Sequence, residues 1–407
     1  MRIAFLCYRS DPRVGGQGVF VRHVAGALVR RGHHVDILSG PPYPEPVRGA
    51  RLVPIPSLDL YAQPHHGHRA LRPRHLLSLA DSYEYMAHLS GGFPEPYTFG
   101  RRVAHHLRRH RAAYDVVLDN QTLASGLLAV ERAGLPVIAI VHHPIARDRE
   151  LALAAEPSPK GQWLIRRWYG FVAMQERVAR RLRGIVTVSR ASADDVVARM
   201  GVARERITVA PPGVDHGVFR HRTDVERLPA RIVTTASADV PLKGLRFLLE
   251  AYAALLADHP ALELVVVGRL REDGVTAETL DRLGLRARVR FVHDLPDDEL
   301  AALFASATLC VTPSLYEGFG LPAAEAMACG APVVVSDGGA LPEVVGDAGL
   351  VVPRGDAGAL ARAIAELLAD PARRGAMAAA SLARARLFSW DRFAGRVETV
   401  LYDTLAC

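Results

Sequence analysis

The chain has 407 residues, 49% of them hydrophobic, and a formal net charge of +7 from 50 Lys and Arg against 43 Asp and Glu. That length supplies two apolar cores rather than one, while no apolar run reaches the roughly 20 residues of a membrane-spanning helix. The four cysteines, Cys7, Cys310, Cys329 and Cys407, form no short Cys-x-x-Cys pair, and strand-like residues begin at Arg2 without a basic leader, so the expected setting is the reducing cytoplasm.

Short β-branched runs at 3–6, 34–38, 115–118 and 137–141 alternate with helical stretches at 19–31 and 122–132, a pattern that predicts parallel strands with crossover helices. Between 40 and 99 the alternation gives way to a Pro-, Gly- and His-rich insertion, expected to shape an acceptor pocket. Its His65, His66, His68 and His75 lack neighbouring carboxylates or thiolates, so no metal is assigned to them. Basic residues bunch at Arg101, Arg102, Arg108, Arg109 and Arg111. A second bunch runs from Arg166 to Arg183 beside Trp163, Trp168, Tyr169 and Phe171. A solvated helix face accounts for both groups; peripheral contact with an anionic membrane, at the inner face of the plasma membrane, is the other reading.

Pro211-Pro-Gly213 continues neither a helix nor a central strand, and beyond it the alternation restarts. Strands are predicted at 232–235, 262–267, 289–292, 309–312, 333–335 and 350–352, with helices at 245–256, 299–305 and 359–368. A last helical stretch, 390–405, comes too late to complete that sheet and is expected to cross back. The fold expected is α/β, with two doubly wound Rossmann-like domains, 1–210 completed by 390–407 and 211–389, facing across a cleft. Parallel sheets bind ligands at the carboxyl ends of their strands, so the motifs there carry the functional reading.

Gly15-Gly16-Gln-Gly18 follows the first strand and precedes a helix, where glycine lets backbone approach an anion. It is not the dinucleotide fingerprint, since Val21 fills the third glycine position. The segment from Thr312 to Gly330 places Glu317 before a helix that starts near Leu321, with Glu325 one turn inside it. Both carboxylates are expected to face one site. Lys243-Gly244 opens a helix after its strand and supplies a cation for a diphosphate. His142 and His143 end the strand 137–141; packing and catalysis both remain open for them.

Glu317-Gly-Phe-Gly-Leu-Pro-Ala-Ala-Glu325, followed by Ala-Met-Ala-Cys-Gly330, resembles the signature of the family-4 glycosyltransferases, retaining enzymes of the two-domain GT-B fold. The glycine loop, the lysine loop, Pro211-Pro-Gly-Val-Asp215 and the returning helix resemble it too. The resemblance implies metal-independent transfer of a hexose-type sugar from a nucleoside-diphosphate sugar to a lipid, glycan or small-molecule hydroxyl. That donor is a co-substrate, and no cofactor, metal or nucleic acid is implied. By the same resemblance Gly15 and Gly16 adjoin the donor phosphate, His142 the sugar, and Lys243 the diphosphate. Glu317 binds the donor sugar near backbone groups of Phe319, Gly320 and Leu321, Glu325 the ribose, and Val292 with His293 the base. Ser237 stands where the family usually has an arginine; Arg269 or backbone amides are the expected replacement. A sugar-nucleotide epimerase and a non-catalytic nucleotide-sugar binder are the alternatives.

Overall fold

The computed structural model describes residues 1–10, 16–62, 72–236 and 239–406. They form two compact units, Met1–Val188 with Ser192–Ala210 and Trp390–Cys407, and Ser189–Ala191 with Pro211–Ser389. Each unit is built on one parallel sheet, the arrangement that the alternating pattern predicts.

In the first unit the strands are β1 (Arg2–Cys7), β2 (His34–Ser39), β3 (Arg51–Pro54), β4 (Val116–Asn120), β5 (Val137–Val141), β6 (Gly184–Thr187) and β7 (Ile207–Val209). Their spatial order is β3-β2-β1-β4-β5-β6-β7. Every residue of β4 and β5 is buried, which is why Val137–Val141 reads as an unbroken apolar run rather than an alternating one. The second unit orders β8 (Arg231–Thr235), β9 (Glu263–Val267), β10 (Val289–Val292), β11 (Leu309–Thr312), β12 (Val333–Ser336) and β13 (Leu350–Val352) as β10-β9-β8-β11-β12-β13. In each sheet the order reverses once, between β1 and β4 and between β8 and β11. Such switch points are where open parallel sheets receive ligands.

The final helix, Trp390–Ala406, belongs to the first unit and packs on the helix Gly16–Arg30. Phe20 stands edge-on to Trp390 and Phe393, with ring centroids 5.5 and 5.1 Å away. Phe393, Val397 and Leu401 are fully buried there, each contributing about 1.5–3 kcal/mol of apolar burial. Arg31 Nε adds a 2.9 Å hydrogen bond to Glu398 Oε2.

Two expectations change. The insertion between 40 and 99 holds more regular structure than its composition predicts: β3 and the helix Leu79–Leu89, with the helix Glu95–Arg109 starting inside it. β3 is an edge strand with little burial, so it shows no apolar alternation. Ser78 caps the helix Leu79–Leu89 by accepting from Asp81 N at 3.2 Å, a signal hidden among neighbouring Pro and His residues. The first helix begins at Gly16 rather than near Val19, because burial of Gly18 holds a turn that glycine alone disfavours.

The basic bunch after Glu95 is also mixed in kind. Arg101, Arg108 and Arg109 are exposed, but Arg102 is turned inward, paired with Asp81 and, at 2.6 Å, with the buried Glu84. Cys7, Cys310 and Cys329 are free and buried, and Cys407 lies outside the described residues. Among the described residues no helix is long and apolar enough to cross a membrane.

Candidate active site

At the switch point of the second sheet, residues following β8 meet residues following β11. Lys243 Nζ donates to Glu317 Oε1 at 2.8 Å, and Ser314 Oγ donates to the same oxygen at 2.8 Å. The backbone holds the two loops together, with Leu315 N donating to Leu242 O at 2.8 Å. Gly244 makes that approach feasible. It sits at φ +62°, and a Cβ there would stand 2.1 Å from the Pro313 carbonyl oxygen, so any side chain would push Lys243 and Glu317 apart.

The helix Leu321–Ala328 starts four residues after Glu317, with Pro322 in its first turn and no side chain capping it. Pro322 has no N–H and Ala323 N donates to Gly320 O at 3.1 Å, so this start offers an anion the Leu321 amide and the positive end of the helix dipole. Phe319 is buried and edge-on to Phe388 at 5.2 Å, which anchors the intervening Gly-Phe-Gly loop. Along the same sheet edge, β9 leads to Arg269 and β10 ends at Val292. Arg269 Nη2 donates to Asp294 Oδ2 at 2.6 Å, and His293 Nδ1 lies 2.9 Å from that oxygen. The hydrogen bond from His293, with Arg269 nearby, holds the Asp294 carboxyl below its ordinary range. Arg269 remains 67% exposed, so its guanidinium is committed only to a surface pair. Val292 gives its carbonyl to Gly268 N at 2.7 Å.

Glu325 has a different neighbourhood from Glu317. Burial pushes its carboxyl up to about 8, with Asp297 adding to the rise. The carboxyl is therefore largely protonated at neutral pH in the unliganded chain.

In the first unit, β1 leads toward Gly16, β4 ends at Asn120, and β5 delivers His142. His142 Nε2 lies 2.8 Å from Asn120 Oδ1. Asn120 Nδ2 is directed at Cys7 Sγ, 3.5 Å away, which fixes the amide orientation and makes Nε2 the protonated nitrogen. Nδ1 then carries the free lone pair. Burial, reinforced by His143, pushes His142 down to about 3, so the ring is a neutral hydrogen-bond acceptor. Phe20 braces it edge-on at 4.5 Å, tying the C-terminal helix to the ring's position. Its main chain is held by Gln121 Oε1, 2.6 Å from His142 N, and by Ser192 Oγ, which donates to His142 O at 2.8 Å. His143 Nε2 instead lies 3.0 Å from Asp148 Oδ2.

Gly16 opens its helix with no heavy atom of the described residues within 4 Å of the place a Cβ would occupy. Packing among the described residues does not demand glycine there. Gly15, Ser237, His65, His66 and His68 lie outside the described residues. His75 lies 3.1 Å from Arg72 N through Nδ1. Among the described residues no group of three or more His, Cys, Asp or Glu is arranged to hold a metal ion.

Asn120, Ser314 and Asp294 are absent from the sequence-based site, yet they orient His142, Glu317 and Arg269. The polar run Asp119-Asn120-Gln121-Thr122, which ends and follows the buried strand β4, was the available signal for the first, because so many polar groups are buried only when they hold something.

The Glycosyltransferase Family 4 pattern matches residues 14–218, and that of Glycosyl transferases group 1 matches 221–384. A relative named MMP alpha-(1->4)-mannosyltransferase, from Mycolicibacterium hassiacum, is 44% identical, with 100% of this chain and 99% of that protein covered. The chain belongs to the family-4 glycosyltransferases. Sucrose-phosphate synthase of Thermosynechococcus elongatus superposes on this glycosyltransferase with a TM-score of 0.73 at 24% identity, covering 100% of this chain and 99% of the other. HepE of Anabaena, solved with UDP and glucose, gives 0.71 at 20% identity and covers 99% and 100%. This family-4 glycosyltransferase is therefore a transferase enzyme with the GT-B fold.

Proposed function

We propose that this glycosyltransferase moves a mannose-type hexose from a nucleoside-diphosphate sugar to a glycan hydroxyl, with retention at the anomeric carbon and without a metal ion. The observation that carries the reading is the Lys243–Glu317 pair beside the uncapped start of the helix Leu321–Ala328. Breaking the bond between the anomeric carbon and phosphate oxygen puts negative charge on the diphosphate and oxocarbenium character on the sugar. Lys243 and the helix start meet the first charge, and Glu317 the second. The acceptor oxygen bonds to the anomeric carbon, and its proton passes to the departing phosphate oxygen on the same face. The mannosyl preference is supported by the name of the 44% identical relative, and a nucleotide-sugar donor by the UDP-bound neighbour.

In this reading His142 accepts a sugar hydroxyl on Nδ1, Glu325 binds the ribose, and Val292 and His293 frame the base. Arg269 is proposed as the second cation on the diphosphate. Gly16 keeps the donor phosphate clear of side chains, so Gly16→Val is expected to raise the donor KM about tenfold to a hundredfold with an unchanged melting temperature. Steady-state kinetics beside a thermal melt checks this; a fall in melting temperature with unchanged KM assigns Gly16 to packing.

The deciding assay offers UDP-, GDP- and ADP-sugars, with and without EDTA and with mannooligosaccharide acceptors. Release of one nucleoside diphosphate that persists in EDTA, with an elongated product retaining the donor's anomeric configuration, is the expected result. Conversion of the sugar nucleotide without an acceptor favours the epimerase, and binding without turnover favours the non-catalytic binder.

A further inference from the structure

The first unit carries a solvent-open groove of about 630 Å³ whose lining includes Tyr61, His88, Gly91, Gly92, Trp163 and Trp168. Its size falls within the roughly 300–1,000 Å³ of small-ligand sites. The rings are organised. Trp168 stacks on Phe93 at 5.0 Å, and Tyr61 meets Trp168 and His88 edge-on at 5.7 and 4.9 Å. Trp163 is nevertheless 58% exposed and Trp168 38% exposed. Indole surface left in water, held in place at Trp168 by Phe93 and Tyr61, is suited to the C–H faces of sugar rings, whose hydroxyl edges need polar partners beside them.

Those partners are present. Ser90 lines the groove and its Oγ accepts from Arg167 Nη2 at 2.6 Å; a Cβ at Gly92 would stand 2.6 Å from Arg167 Nη1, so the guanidinium lies against bare backbone beside the groove. The charge pattern points to an uncharged ligand. Among the described residues that line the groove there is no Asp, Glu, Lys or Arg. Behind the lining, Arg9 lies over the Tyr61 ring at 5.1 Å, with its charge answered by Glu95 at 2.7 Å. Arg9 follows β1, so a ring that lines the groove is in contact with the carboxyl edge of the first sheet.

We infer that this groove is an extended acceptor subsite that takes a neutral hexose chain, its rings stacked on Trp163 and Trp168. The inference rests on the proposed transfer to a glycan and adds where the chain beyond the reacting sugar lies. An anionic membrane is the competing occupant, since Leu76, Leu77 and Leu79 are exposed on the neighbouring segment.

The test titrates the full-length protein with α-(1→4)-linked mannooligosaccharides of increasing length, following tryptophan emission in the native protein, Trp163→Ala and Trp168→Ala. Affinity is expected to rise with length in the native protein, and each variant to lose about tenfold for the longest chain but not for the disaccharide. Nucleoside diphosphate release from donor and water alone should stay unchanged in both variants. Equal affinities for long and short chains in all three proteins would overturn the subsite, as would an emission change with phosphatidylglycerol vesicles and none with glycans. Failure of the transferase reading is separately visible, as no nucleoside diphosphate release from any donor.

Discussion

Lys243→Ala and Glu317→Gln are each expected to lower kcat for sugar transfer by about a hundredfold to a thousandfold, the range seen when one preorganised group facing a developing charge is removed. The two side chains share one hydrogen bond and are only partly exposed, at 27% and 13%, so each orients the other before any ligand arrives. A diphosphate beside Lys243 draws on the same cation that holds Glu317 in place. The losses should therefore be non-additive, with the double variant much closer to either single variant than to their product. Folding should change little, because partly exposed ion pairs contribute little net stability and Ser314 still holds Glu317 when Lys243 is gone. Kinetics under saturating donor, beside a melt of each variant, checks both points. Losses below about threefold would remove the pair from the chemistry.

Legibility followed burial and backbone chemistry. β5 and β11 are fully buried strands of short apolar runs, and their residues alone predict them. Gly244 and Gly320 likewise mark the two loops around Glu317, because both have positive φ, +62° and +99°. β3 shows the converse, since an exposed edge strand has no apolar face for a periodicity to reveal. Partnership was harder to read. Nothing in sequence spacing joins Lys243 to Glu317, 74 positions apart, until the strand order makes β8 and β11 neighbours. Two consecutive histidines gave no means of dividing their roles, which come from Asn120 and Asp148 on different elements. Arg102 looked like one more surface cation, and its inward turn depends on Glu84 from another helix.

Donor binding is expected to release close to one proton at pH 7, and the proton comes from Glu325. Burial raises this carboxyl from an ordinary 4.5 to about 8, so in the free protein it is mostly protonated at neutral pH. The raised value means that Glu325 contributes stability fully below its unfolded value of 4.5 and loses that contribution as pH climbs through 8. Two ribose hydroxyls donating to the carboxylate reverse the preference, because hydrogen bonds to the charged form favour it. Binding and deprotonation are then linked, and affinity for an intact nucleotide sugar should rise about eightfold from pH 7 to 8.5 as the cost of removing the proton falls. Calorimetry in two buffers of different ionisation enthalpy reads the proton directly, and the intact sugar nucleotide avoids titration of a terminal phosphate. Glu325→Gln, which cannot titrate, should bind more weakly, release no proton and show a flat profile over the same range. Equal proton release by the native protein and Glu325→Gln would place the titrating group elsewhere. A flat native profile would mean that the ribose does not meet this carboxyl.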